Sequence, residues 1–196
     1  MGRVGVFPGT FNPMTVAHVA IAEAAWRQLG LDRLDLVVSK VPLAKEALER
    51  PTLEHRVGVL LTLAKTRPWI GVAVTEAKLL ADIASGYDVI VIGADKWTQL
   101  RDPIYYGGDV TRRDDAIRRL PMLAVVARSR HVLPAGATLL DLPPGLAEVS
   151  ATGVRAGATE WMAPEAAEFD RLTGAWTDPD RYDRWVEADS DSPRSS

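Results

Sequence analysis

The chain has 196 residues, 47% of them apolar and 25% charged, which is the make-up of one globular domain and excludes a disordered or fibrous protein. A formal charge of -3 spreads no basic field, so neither nucleic acid nor a membrane is expected as a partner. Cysteine is absent, which rules out disulfides, thiolate zinc sites and a cysteine nucleophile.

The first apolar run, Val4 to Phe7, has the length of a buried strand and breaks at the turn pair Pro8-Gly9. Thr10 to Thr15 read as a polar loop, and apolar spacing from Val16 to Leu29 predicts a helix. Strand, glycine-containing turn and helix together aim main-chain N–H groups past the strand's carboxyl end, an arrangement that suits an anion. His18 stands out there, in the first helical turn after the small Ala17. It reads either as a surface histidine or as an imidazole beside a bound phosphate.

Leu34 to Val38 predict a second strand, followed by a loop over Ser39 to Arg50 that carries Lys40 and Lys45. A helix start near Pro51-Thr52 leads into Val57, Leu60, Leu61 and Ala64 at helical spacing. Trp69 to Val74 predict a strand and Glu76 to Ala84 a helix. Tyr87 to Ile92 are nearly all apolar and largely β-branched, as in a parallel strand covered on both faces. That run ends in Gly93-Ala94-Asp95-Lys96-Trp97, small and polar residues where α/β domains place their ligands.

Arg101 to Gly108 read as an aromatic loop, Asp109 to Arg119 as a solvated helix and Met122 to Ala127 as a central strand. Leu139 to Leu142 predict a short last strand. From about residue 153 one or two short helices carry Trp161, Trp176, Tyr182 and Trp185. Residues 1–188 are expected to form a single domain and the polar residues 189–196 a disordered tail. The Trp-rich part could pack on its own domain or on a second subunit, so a homo-oligomer stays open.

Strands alternating with helices predict an α/β fold, a Rossmann-like parallel sheet with helices on both faces. Neither GxxxxGK[ST] nor GxGxxG is present. The histidines His18, His55 and His131 are isolated, so no metal ligand is assigned. With no leader pattern at the start and no apolar run approaching ~18 residues, a cytoplasmic location is expected.

Taken together, Gly9-Thr10-Phe11-Asn12-Pro13, Thr15-Val16-Ala17-His18 and Ser150-Ala151-Thr152-Gly153-Val154-Arg155 resemble the motifs of the HxGH-superfamily nucleotidyltransferases. The usual form begins G-x-F-D-P, has T/HxGH at the helix start and carries an ISSTxxR-type motif near the carboxyl end. Within that superfamily the chain is most similar to bacterial nicotinate or nicotinamide mononucleotide adenylyltransferases, over roughly residues 3–163. Three positions depart from the pattern. Asn12 replaces the common aspartate, Thr15 stands where the mononucleotide enzymes have histidine, and Ala17 replaces glycine.

The resemblance implies a fold of the nucleotidyltransferase type and transfer of AMP from ATP to the phosphate of a pyridine mononucleotide, with magnesium bound on the ATP phosphates. It implies that His18 donates to the phosphate in the transition state, assisted by Thr15, Arg155 and Lys45, with Lys40 in reserve. Gly9, Thr10, Phe11, Gly93, Asp95, Ser150 and Thr152 would complete the nucleotide site. Trp97, Tyr105 and Tyr106 would stack on the acceptor ring unless they serve the core. Lys45 and Arg56 would join the acceptor site, with a surface ion pair the other reading of Arg56, and Arg128 would contact phosphate or ribose. The other readings are an acceptor such as phosphopantetheine, CTP as donor, or a nucleotide-binding protein without transferase activity.

Overall fold

In the strand β4 (Val89–Gly93), alternate side chains enter two separate cores. Val89 and Val91 face one layer with Leu34, Leu36 and Val38, while Ile90 and Ile92 face the other with Val6 and Val37. A period of two with both faces apolar demands cover on both sides of the sheet. The computed structural model describes residues 2–40, 50–126 and 134–191. Among them, β1 (Val4–Pro8), β2 (Arg33–Ser39), β3 (Ile70–Thr75), β4, β5 (Met122–Val126) and β6 (Thr138–Leu139) form one parallel sheet in the order β3-β2-β1-β4-β5-β6.

One face is covered by α1 (Val16–Leu29) and α2 (Leu53–Lys65), through Ile21, Ala25, Leu60 and Leu63. The other is covered by α3 (Leu80–Ile83) and α4 (Ala94–Arg101), through Ile83, Ala94 and Leu100. The chain winds from β1 outward to β3, then returns to the other side of β1 as β4. That reversal opens a crevice at the strands' carboxyl ends, where open α/β sheets bind their ligands.

The structure shortens some predicted elements and extends others. The helix expected over Glu76 to Ala84 is reduced to the single turn of α3. Ala77 is held out of it, because its N–H donates to the Thr75 hydroxyl at 3.1 Å and its carbonyl accepts from Ser39 at 2.8 Å. Strand β6 occupies only Thr138–Leu139 rather than Leu139 to Leu142. Within the expected aromatic loop, Pro103–Tyr106 form a 3-10 turn, and α4 begins directly after Gly93. Helix α5 (Val110–Arg118) is capped by Asp109, whose carboxylate accepts from the Thr111 and Arg112 N–H groups.

After α6 (Ala151–Arg155), the carboxyl-terminal part builds α7 (Pro164–Thr173) and α8 (Pro179–Asp191), so residues 189–191, read as tail, belong to a helix. This part packs on its own chain. The Ala163 N–H donates to the Met14 carbonyl at 3.0 Å, beside a bridge between Thr15 and Met162. The buried Tyr182 accepts from the Thr52 N–H at 3.0 Å and lies 2.6 Å from His55 Nδ1.

Candidate active site

The loop after β1 is shaped by its own side chains. The Phe11 ring is 2% exposed and lies so close over Gly9 that a Cβ there would meet it at 2.9 Å, which explains the glycine. Phe11 takes a positive φ of 44°, and its ring meets those of Phe7 and His18 edge-on. Phe11 is therefore a packing residue, and its contribution to an anion can come only from its main chain. The Gly9 N–H donates to the Val37 carbonyl at 3.0 Å, whereas those of Thr10 and Phe11 have no protein acceptor among the described residues. Main-chain donors without a protein acceptor at the edge of a cleft suit a phosphate oxygen.

Helix α1 opens on a capping box. The buried Thr15 accepts the His18 N–H on its hydroxyl at 3.3 Å, while His18 Nδ1 accepts the Thr15 N–H at 3.0 Å. The Thr15 hydroxyl also lies 2.8 Å from that ring nitrogen. A main-chain N–H can only donate, so Nδ1 is an acceptor and the neutral imidazole carries its proton on Nε2. Thr15 thus fixes the His18 ring, and its own buried hydroxyl is taken up within the capping box.

The second motif returns to the first across the carboxyl end of the sheet. Arg155 donates to the main-chain oxygen of Asn12, to the Ala151 carbonyl at 3.2 Å and to the Thr152 hydroxyl at 3.3 Å. Ser150 caps α6 by accepting the Gly153 N–H at 3.0 Å. Gly153 lies under Trp161, whose ring a Cβ would approach to 2.4 Å. The two motifs that the sequence separates by about 140 residues are joined by one hydrogen bond.

Asn12 is buried and ties three segments together. Its side-chain oxygen accepts from the Trp176 indole at 2.5 Å and its amide donates to the Arg50 carbonyl at 3.4 Å. Behind the same loop lies Arg56, 4% exposed, donating to the Thr10 carbonyl at 2.8 Å and the Pro51 carbonyl at 3.3 Å. Burial lowers its pKa from the usual guanidinium value, and among the described residues no carboxylate pairs with it. An unbalanced buried charge favours an anion nearby. Neither the Asn12–Trp176 contact nor this orientation of Arg56 has a signal in the sequence, since the partners are far apart or are main-chain atoms.

A cleft at the carboxyl ends of β1 and β2 joins Gly9 and Thr10 to Tyr105 and Tyr106, with Lys78 and Lys96 in its wall. Tyr105 is half-buried there, but Tyr106 is buried and donates its hydroxyl to the Leu100 carbonyl at 3.1 Å. Burial raises the Tyr106 pKa. Trp97 does not line the cleft: on α4 its ring packs against the core beneath β4 and β5, so the expected stacking role does not fit. Gly93 ends β4 and Asp95 lies in the first turn of α4. Lys40 forms an exposed ion pair with Glu76 at 2.6 Å. Lys45 and Arg128 lie outside the described residues. Among the described residues no group of three or more His, Cys, Asp or Glu could hold a metal ion.

A family model described as cytidylyltransferase-like matches residues 6–156, a span that holds the loop after β1, His18 and Arg155. The chain belongs to the cytidylyltransferase-like family. Within this family it is 27% identical over 158 residues to a probable nicotinate-nucleotide adenylyltransferase of Lactococcus lactis, covering 70% of this chain and 80% of that one. A protein of the same name from Rubrobacter xylanophilus is 47% identical over 45 residues, but these span only 23% of this chain and 21% of that relative. The fold is similar to that of Plasmodium falciparum nicotinic acid mononucleotide adenylyltransferase complexed with NaAD. That structure matches with a TM-score of 0.63 at 10% identity, over 88% of this chain and 96% of that one.

Proposed function

We propose that this protein transfers AMP from ATP to the phosphate of nicotinate mononucleotide and releases pyrophosphate. An acceptor phosphate oxygen attacks the α-phosphorus, the bond to the bridging oxygen breaks, and its electron pair leaves with pyrophosphate. Both reactants are anions, so positioning and charge stabilisation carry the catalysis. The observation that carries the reading is the joining of Arg155 to the loop that precedes the Thr15–His18 capping box. It gathers a guanidinium, an imidazole with its proton on Nε2 and the Thr10 and Phe11 N–H donors at one end of the sheet. The names of the Lactococcus and Rubrobacter relatives support the choice of acceptor.

His18 is assigned the hydrogen bond to the phosphate that gains charge in the transition state. Arg155 is assigned the departing pyrophosphate, which its planar fork fits. Magnesium enters as part of the substrate, held by ATP phosphate oxygens and water. One domain, with Met162, Ala163 and Trp176 of its carboxyl-terminal part set against the loop after β1, carries the whole reaction, and its expected place is the cytoplasm.

A pyrophosphate-release screen of ATP and CTP against nicotinate mononucleotide, nicotinamide mononucleotide and phosphopantetheine tests the reading. Release is expected with ATP and nicotinate mononucleotide. Release only with CTP would reassign the donor, and nucleotide binding without any release would make this a binding protein.

A further inference from the structure

The cleft that leads away from Gly9 and Thr10 is walled largely by Leu79, Leu80, Ile83 and Leu100, yet two lysines enter it. Lys96 donates to the Gln99 side chain at 2.8 Å. Lys78 has no hydrogen-bond or ion-pair partner among the described residues, and the neighbouring Glu76 is engaged by Lys40. Lys78 is an exposed residue of the cleft lining, and its flexible four-carbon stem lets the ammonium turn towards an anion bound there.

Lys78 also borders the adjoining cleft that contains Arg118 and Arg119, whose lining does not include Gly9 or Thr10. It therefore stands where the two clefts meet, as Leu79, Tyr105 and Tyr106 do. In the adenylyl-transfer reading, on which this inference rests, the acceptor's phosphate must reach that loop. Its ring would then lie in the cleft that Tyr105 and Lys78 both line.

We propose that Lys78 is a specificity-determining residue, selecting an acceptor whose ring carries a carboxylate over one whose ring carries a carboxamide. An ammonium offers three donors and no acceptor. A carboxylate answers it with charge and two accepting oxygens, whereas a carboxamide is neutral and turns either one oxygen or a competing N–H donor towards it. Such discrimination arises from a polar group left poorly paired by the wrong substrate.

The test compares wild type, Lys78→Gln and Lys78→Arg in steady-state transfer to nicotinate and nicotinamide mononucleotides, alongside calorimetric binding of both. Lys78→Gln is expected to lower the acid-over-amide ratio of kcat/KM at least about tenfold, the scale of one hydrogen bond to a charged group. The loss should fall mainly on the KM for the acid, with the KM for ATP unchanged, and Lys78→Arg should retain most of the preference. An unchanged ratio, or an equal loss with both acceptors, overturns the proposal. If wild type transfers to neither acceptor, the adenylyl-transfer reading falls and binding decides the role of Lys78. Tighter binding of the acid that disappears in Lys78→Gln upholds it; equal binding of acid and amide overturns it.

Discussion

Because the Thr15 N–H cannot turn away, the His18 nitrogen facing it must accept, and the ring's proton is committed to the opposite side. Nitrogen-15 spectra at neutral pH should show Nε2 protonated and Nδ1 bare; a protonated Nδ1 would dissolve the capping box as described. Replacing His18 by alanine is expected to lower turnover by about 100-fold or more, the scale for one transition-state donor, with little change in ATP binding. Equal losses in turnover and binding would mean that His18 contributes uniform binding instead. Tyr87 offers a separate test, of stability. Burial, with the hydrogen bond to Asp35 at 3.0 Å, pushes its pKa up to about 12. A folded-state pKa above the unfolded value of about 10 means the stabilisation is complete below that pH and lost as pH rises through 12. The stability gap between wild type and Tyr87→Phe, followed by urea unfolding, should therefore shrink from pH 10 upwards. A gap that widens with pH would contradict the assignment.

The elements that carry the site were unequally legible. β1, α1 and the loop between them follow from apolar periodicity and a turn pair, both local signals. The final short helices were foreseen as helices but not as a brace, because contacts such as Trp176 to Asn12 join residues 164 positions apart. Local propensity places Lys78 in a helix over Glu76 to Ala84, because it takes no account of the Ser39 and Thr75 hydroxyls that hold Ala77. The aromatic assignments failed in part for a related reason: composition shows a large ring but not which side of α4 faces the core. The brace itself can be tested. Trp176→Phe keeps the bulk but strips the donor from the buried Asn12 oxygen, so a stability loss of about 1–3 kcal/mol is expected in urea unfolding, together with lower turnover. Wild-type stability and turnover in that variant would show the contact to be incidental. Gly153→Ala drives a Cβ into Trp161 and should cost about 1–3 kcal/mol by overpacking, read as a lowered Tm.

Across the whole molecule, layer rules set the α/β architecture, because buried parallel strands such as β4 need helices on both faces. The strand order β3-β2-β1-β4-β5-β6 is a non-local property that no single stretch of the sequence carries. The family match ends at residue 156, while the indole that braces Asn12 lies at 176. The reactive loop thus depends on a segment outside the region that defines its kinship. For anyone recombining this chain with a relative, the natural seam after the shared core is the wrong place to cut. Positions 12 and 176 have to be inherited together, and Arg50 with Asp183, whose paired hydrogen bonds tie the approach to α2 onto α8, should travel with them.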